Sequence, residues 1–482
     1  MQQQSAPQGG NMQKVPLPKQ TFESQSRSAA YSKVLNMYSE DLPAGAISSH
    51  YLIGCAGLEL FATLGSNAEI SVAYTMRNVI YAISNSVVYK ITAAGVVSVL
   101  DSIPNSTSYN LTDNGFQILA ILDDGTGYII TESAVTEITD ANFPLSSSCT
   151  FLDGFFVVSE KDTQKFYISN SYDGLLWGEG FVSAEEKPDN LVAMFGFNST
   201  LLAFGTETIE FFQNIGASDP TVDVPYRQIN GTAITTIGCL SRDTIQAAQN
   251  TVFFLGTNNA VYAIYGAQSF SPEKISTVGI ESIIQVMTNP ANSIGYIYSV
   301  GSHRFYCLTF VSDDITLCYD TLTGVWHQRD SYGLGRWRIN TITSLGNIYI
   351  GGDYDNGKLY KIHLGAYTDD DLPIVKKIVT QPFFSNSDRI SYNAVQLLVE
   401  AGQAPRDGIF SDPVVMLSFS DDGGYTYGNE LSASIGKTGQ YKNIVVFRRC
   451  GLARNRVFSF SCADATKFNI NGLLINASIC SS

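Results

Sequence analysis

Charge is scarce in this 482-residue chain: Asp, Glu, Lys and Arg make up 15% of it, and the basic residues are the rarer sign, 29 against 44 acidic. The formal net charge is −15. A protein that grips nucleic acid by its phosphates carries a basic stripe, and none runs along this sequence. Low charge together with 44% hydrophobic residues also excludes a disordered chain, which needs the opposite balance. No run approaches the roughly 20 apolar residues that cross a bilayer as a helix, so no membrane insertion is expected. The first 20 residues, MQQQSAPQGGNMQKVPLPKQ, hold no apolar segment of the secretory-signal kind and are expected to form an extended arm.

Chemistry-bearing residues are equally sparse. The four histidines are His50, His303, His327 and His363. None stands at a catalytic spacing from a Ser or Cys, and GxSxG, HExxH and the phosphate-binding GxxxxGK[ST] are all missing. Eight cysteines form no CxxC and have no histidine at zinc-ligand spacing. They are expected to be free, mostly buried thiols. No catalytic group, metal or cofactor is expected, and the chain does not read as an enzyme.

What the sequence does contain is a repeat. From 78 to 363 an apolar strand, a short polar turn and a second strand with an aromatic recur seven times. Examples are NVIYAISNSVVYKIT (78–92), FNSTLLAFGTETIEFFQN (197–214), QNTVFFLGTNNAVYAIYG (249–266) and LGNIYIGGDYDNGKLYKIH (345–363). Val, Ile, Tyr and Phe suit pleated, half-buried surfaces, and the Asn-, Asp- and Gly-rich turns close hairpins. Hairpins spaced at about 40–50 residues fit four-stranded propeller blades. The expected fold is all-β, a β-propeller of six or seven blades followed by a C-terminal β-sandwich. A ring of this kind closes by borrowing a strand, and 46–73 is the natural source. The repeat stops at AYTDDDLPIVKK (366–377), after which strands follow a different rhythm. The expected domains are an arm over 1–45, a propeller over 46–370 and a sandwich over 371–482. Helix is expected only over 279–287.

Two segments resemble Asp-boxes, hairpin turns in which an Asp caps turn amides and glycines permit a positive φ. The fuller one is formed by Ser420, Asp422, Gly423, Gly424 and Tyr427; a shorter form covers 171–177. Such turns occur in sialidases, which are also propellers, but they are structural. A sialidase further needs an arginine triad and a Tyr nucleophile with a Glu partner, and the 14 arginines here are scattered. The run 319–326 has a kelch-like shape in which Trp326 packs between blades. Arg448, Arg449, Arg454 and Arg456 form the densest positive charge in an acidic chain, and are candidate contacts in an assembly or partners in surface ion pairs.

Taken in order, several segments resemble the packaged-DNA stabilisation proteins, also called tail hub or nozzle proteins, of short-tailed bacteriophages. In LLAFGTETIEFFQNIGA (201–217), Phe204, Gly205, Thr208, Ile209 and Glu210 fit a recurring run of that family. NTVFFLG (250–256), STVGIESII (276–284), SHRFYCLTF (302–310), YDTLTGVWHQR (319–329) and VVFRRCGLARNRVFSFSCADATKFNINGLLI (445–475) follow in the same order. Cys55-Ala56-Gly57 departs from the family's Pro-Gly pair. The resemblance implies a virion tail protein made in the bacterial host cytoplasm. It implies a homo-oligomeric ring, a hexamer, set below the portal and its adaptor ring protein. Such a ring extends the DNA channel and holds the packaged genome. It receives a tail needle or plug and a tail fibre or tailspike, and double-stranded DNA passes without sequence-specific binding. The other reading of the residues is a carbohydrate-binding propeller, a lectin or a sialidase-like glycosidase.

Overall fold

A computed structural model describes residues 11–216, 224–266, 270–386 and 388–480. Among the described residues five four-stranded antiparallel sheets follow one another along the chain, over 72–102, 109–137, 146–183, 191–228 and 246–274, and a sixth set of four antiparallel strands, over 293–329, continues at its outer edge into a larger sheet. A seventh is composite. Its three strands over 339–363 are completed by Gly57–Thr63, which pairs antiparallel with Lys358–His363. The propeller therefore has seven blades, closed by a strand from within 46–73.

Period-2 alternation explains why the sheets need one another. On the strand Ile118–Leu122 every residue is buried. Ile118, Ala120 and Leu122 pack toward the blade before, Leu119 and Ile121 toward the blade after. Leu201 and Ala203 alternate with Leu202 and Phe204 in the same way. Each interface between blades has its own apolar core. The last joins Leu345, Ile350 and Leu359 to Ala73, Ile80 and Tyr89 and closes the ring. Trp326 lies in the core between the fifth and sixth blades, fully buried, its indole N–H donating to Ile275 O at 3.0 Å. Between those blades also packs the helix Val278–Gln285, one residue earlier at its start than expected. Thr277 caps it by accepting the Ile280 amide at 3.3 Å, and Ile280, Ile283 and Ile284 face the core.

The C-terminal block is a two-layered sandwich. In one layer Ile390–Val399 lies between Asn469–Ile479 and Val445–Arg448. In the other Asn455–Cys462 lies between Lys376–Val379 and Val414–Ser420. Val395, Leu397, Phe447 and Leu473 meet Leu417, Phe458 and Phe460 between them. The chain's N-terminal part is woven into this sandwich. Gln13–Val15 pairs with Asn469–Ile479, and the hairpin Met37–Asp41 with His50–Gly54 extends the same layer. Tyr31–Leu35 lies between Val325–Arg329 of the sixth blade and Lys376–Val379 of the sandwich, joining the two. Leu17, Val34 and Met37 are buried in the sandwich core, which is why this stretch, polar on average, is held as strands. The first ten residues of the expected arm lie outside the described residues.

Seven of the eight cysteines are buried and all are unpaired. Among the described residues no helix is long and apolar enough to cross a membrane.

Candidate functional site

The arginine cluster divides. Arg448 ends the strand Val445–Arg448 and Arg449 follows it in a left-handed turn, φ 58°. Both are exposed, as is Arg454. Arg456 is different: it is 2% exposed and makes a two-point ion pair with Asp421, Nε to Oδ1 at 2.6 Å and Nη2 to Oδ2 at 2.7 Å. Its Nη1 donates to Cys450 O, and it stacks over Phe419 at 4.2 Å. Arg456 is therefore not a surface contact: it lies in a strand buried from Arg456 to Cys462, and its charge is met inside by Asp421. The fold adds Arg389 instead. This exposed residue precedes Ile390, which pairs with Ala453, the residue before Arg454. No linear signal joins positions so far apart.

Asp422 organises the turn expected around it. Its carboxylate accepts the Tyr425 amide at 3.0 Å, the Thr426 amide at 3.0 Å and the Thr426 hydroxyl at 2.6 Å. Ser420 Oγ donates to Asp422 at 2.6 Å and accepts the Gly424 amide at 2.8 Å. These bonds, the Ser420 one foremost, hold the Asp422 carboxyl well below its ordinary range. Gly423 and Gly424 have φ of 84° and 95°. A Cβ on Gly423 would lie 3.1 Å from Ser28, and one on Gly424 3.0 Å from Tyr31. The turn is thus seated on the N-terminal segment, where Arg27 stacks between Tyr31 and Tyr425. In the shorter form, Asp173 accepts the Leu175 amide at 3.0 Å and buried Trp177 donates to Gly174 O at 2.9 Å. Both are structural turns.

His303 has partners that its sequence neighbours do not reveal. Its Nδ1 is 2.7 Å from Asp320 Oδ2 and its Nε2 is 3.5 Å from Glu40 Oε2. Asp320 also accepts the Leu322 amide at 3.0 Å and the Thr323 hydroxyl at 2.8 Å. With a carboxylate on each ring nitrogen, the imidazole has no nucleophile to activate. Burial opposes its protonation, but the Asp320 and Glu40 interactions outweigh that and raise its pKa. A raised histidine pKa stabilises the fold below the unfolded value of about 6.5 and loses that contribution as pH rises through the folded value. The stability gap between wild type and His303→Gln is therefore expected to be wider at pH 5.5 than at pH 8.5 in urea unfolding. An equal gap at both pH values would show that the pair carries no linked proton. His327 is buried edge-on to Phe305, ring centroids 5.3 Å apart, and exposed His363 lies 3.8 Å from Glu59.

The propeller axis holds a site that no linear motif marks. A cavity of about 640 Å3 lies there, lined by the innermost strand of every blade. Arg242, in the short turn before the fifth blade, reaches across it. Its Nη2 donates to Ser108 Oγ of the second-blade entry at 2.6 Å and its Nη1 to Ser147 O of the third, while Asp243 is 3.2 Å from its Nε. The linker Gly335–Arg338 between the sixth and seventh blades points its residues three ways. Arg336 lines the axial cavity. Trp337 enters the core between those blades. Arg338 pairs with fully buried Asp353, Nε to Oδ2 at 2.7 Å. Two arginines flanking a tryptophan, in a chain with so few of either, were the available signal. Among the described residues no group of three His, Cys, Asp or Glu side chains is arranged to hold a metal ion.

Two family models match the chain along the division between propeller and sandwich. A family model described as bacteriophage P22 Gp10, β-propeller, matches residues 13–366, and one described as bacteriophage P22 Gp10, β-sandwich, matches residues 377–478. No curated protein matches. Among solved structures, PorZ of the type-IX secretion system of Porphyromonas gingivalis is 12% identical at TM-score 0.38, covering 63% of this chain and 38% of its own. BamB from Moraxella catarrhalis is 11% identical at TM-score 0.40, covering 68% and 95%, and the designed protein Ika8 is 13% identical at 0.35, covering 63% and 99%.

Proposed function

The chain belongs to the bacteriophage P22 Gp10 family of phage tail hub, or stabilisation, proteins, and from that membership we propose that six copies form a ring below the portal and adaptor rings of a short-tailed phage. The ring extends the DNA channel, retains the packaged genome and holds a needle, plug, fibre or tailspike. It has no catalytic role. The observation that carries this reading is the match of both halves of the chain, in order, to the two halves of one phage protein family.

Physical features support it. Duplex DNA, whose major groove alone is about 12 Å wide, has no path along a propeller axis bridged by Arg242. The genome then passes between copies, not through one. Six copies carry six times −15 formal charge, and an acidic wall repels DNA and lets it slide. A closed ring needs two different, complementary surfaces on each copy. The exposed edge of Arg389, Arg448 and Arg449 supplies a basic one against an acidic neighbour.

Light scattering on the purified chain, alone and with the adaptor ring, tests the assembly. A species near six times 52.4 kDa in either condition is expected. A strict monomer in both would favour a carbohydrate-binding propeller. Arg448→Glu combined with Arg449→Glu is expected to abolish the ring while shifting stability by no more than about 0.5 kcal/mol per exposed site. A ring that persists would remove these two arginines from the contact.

A further inference from the structure

We propose that the axial cavity of the propeller is a binding site for one small oxyanion, a phosphate or a carboxylate, with Arg336 as its principal cation. This goes beyond the tail hub reading and does not depend on it.

Arg336 is 3% exposed, yet it lines the cavity. Its Nη2 donates to Asn340 Oδ1 at 3.2 Å, and its Cζ lies over the Tyr354 ring, 3.8 Å from the ring centre. Its Nε finds no hydrogen-bond partner. No carboxylate of the described residues lies within the 4.0 Å of an ion pair. Buried charges are normally paired, and an unsatisfied buried donor calls for an explanation. The other deeply buried arginines set the contrast. Arg338 has Asp353 and Arg456 has Asp421. Arg329 donates to Tyr298 OH at 2.6 Å and to Ala56 O, inside a packed core.

The surroundings suit a small anion. Tyr354 and Asn340 hold the guanidinium, and a planar fork of N–H donors matches phosphate or carboxylate oxygens. Arg242 lines the same cavity, but its charge is offset by Asp243 at 3.2 Å, which leaves Arg336 as the cation available to a ligand. Glu69 is the one lining carboxylate outside that pair, and its charge opposes an anion, so binding is expected to be weaker at a pH where Glu69 is ionised than where it is protonated. The volume, about 640 Å3, falls within the roughly 300–1,000 Å3 of small-ligand sites and holds such an ion with water.

The test uses the full chain at fixed ionic strength, with chloride as the reference salt. Inorganic phosphate is followed by 31P line broadening and acetate by calorimetry. Saturable binding of at least one of them at one site per chain is expected, and which of the two binds identifies the oxyanion. Arg336→Met is expected to weaken it at least tenfold. Should that variant not fold, Asn340→Ala, which frees the guanidinium but keeps its charge, is expected to weaken binding severalfold with the circular dichroism spectrum intact. Absence of saturable binding of both anions by wild type up to about 10 mM, a free energy weaker than about −3 kcal/mol, overturns the proposal. So does equal affinity in wild type and a folded Arg336→Met.

Discussion

Replacing Arg338 by Met is expected to lower the free energy of unfolding by about 3–5 kcal/mol, the usual consequence of stranding one member of a buried ion pair. Asp353 is the stranded member: its side chain is 0% exposed and sits 2.7 Å from Arg338 Nε. The Tyr360 hydroxyl at 3.1 Å and the Asp355 amide at 2.9 Å also donate to Asp353. They are neutral donors and do not replace the guanidinium. Arg338 Nη2 further approaches Asp370 at 3.4 Å, which Lys358 holds at 2.8 Å. The network therefore ties the seventh blade to the chain leaving it, close to the closing strand. Adding Asp353→Asn is expected to restore part of the loss, since the double variant leaves no bare charge. The check is denaturant unfolding of the two single variants and the double one. If Arg338→Met costs less than about 1 kcal/mol, Asp353 is solvated or protonated in the folded ring.

The propeller was legible because its signal is repeated. Each second strand presents apolar residues on both faces, as at Ile118–Leu122, and a strand buried twice needs a neighbour on each side. The closing strand was findable because three strands over 339–363 left a fourth place, which Gly57–Thr63 fills. The placement of residues 13–41 was not, because its evidence is thin and distant. Three apolar residues, Leu17, Val34 and Met37, reach a core whose other members lie beyond residue 377 or, like Leu52, in a neighbouring strand.

The site residues show the same division. Around Asp422 the bonds are local, within four residues, so motif and geometry agree. Arg456 and Asp421 are 35 residues apart, and His303 and Asp320 are 17. Pairs like these are set by strand register, which a linear pattern of charges does not display. Arg389 joins the basic edge by register alone, through Ile390 and Ala453.

Trp337→Ala carries the second large effect, a loss of about 3–5 kcal/mol for a fully buried aromatic. The indole is 0% exposed and closes the joint between the sixth and seventh blades. Tyr298 and Tyr296 flank it, with ring centroids 5.4 and 5.9 Å away. Arg329, itself 1% exposed, stacks on its face with Cζ 3.6 Å from the ring centre. A desolvated cation–π contact of this kind contributes about 2 kcal/mol, so truncation removes packing and leaves a buried guanidinium against a void. Trp337→Phe keeps a ring beneath Arg329 and is expected to cost clearly less. Urea unfolding ranks the two variants, and amide exchange locates the damage. Loss of protection should begin at Tyr298, Phe305 and Tyr360, which share this core, before the second and third blades across the ring. Uniform loss around all seven blades would instead mean that the ring opens as one unit, and that no single joint sets its stability.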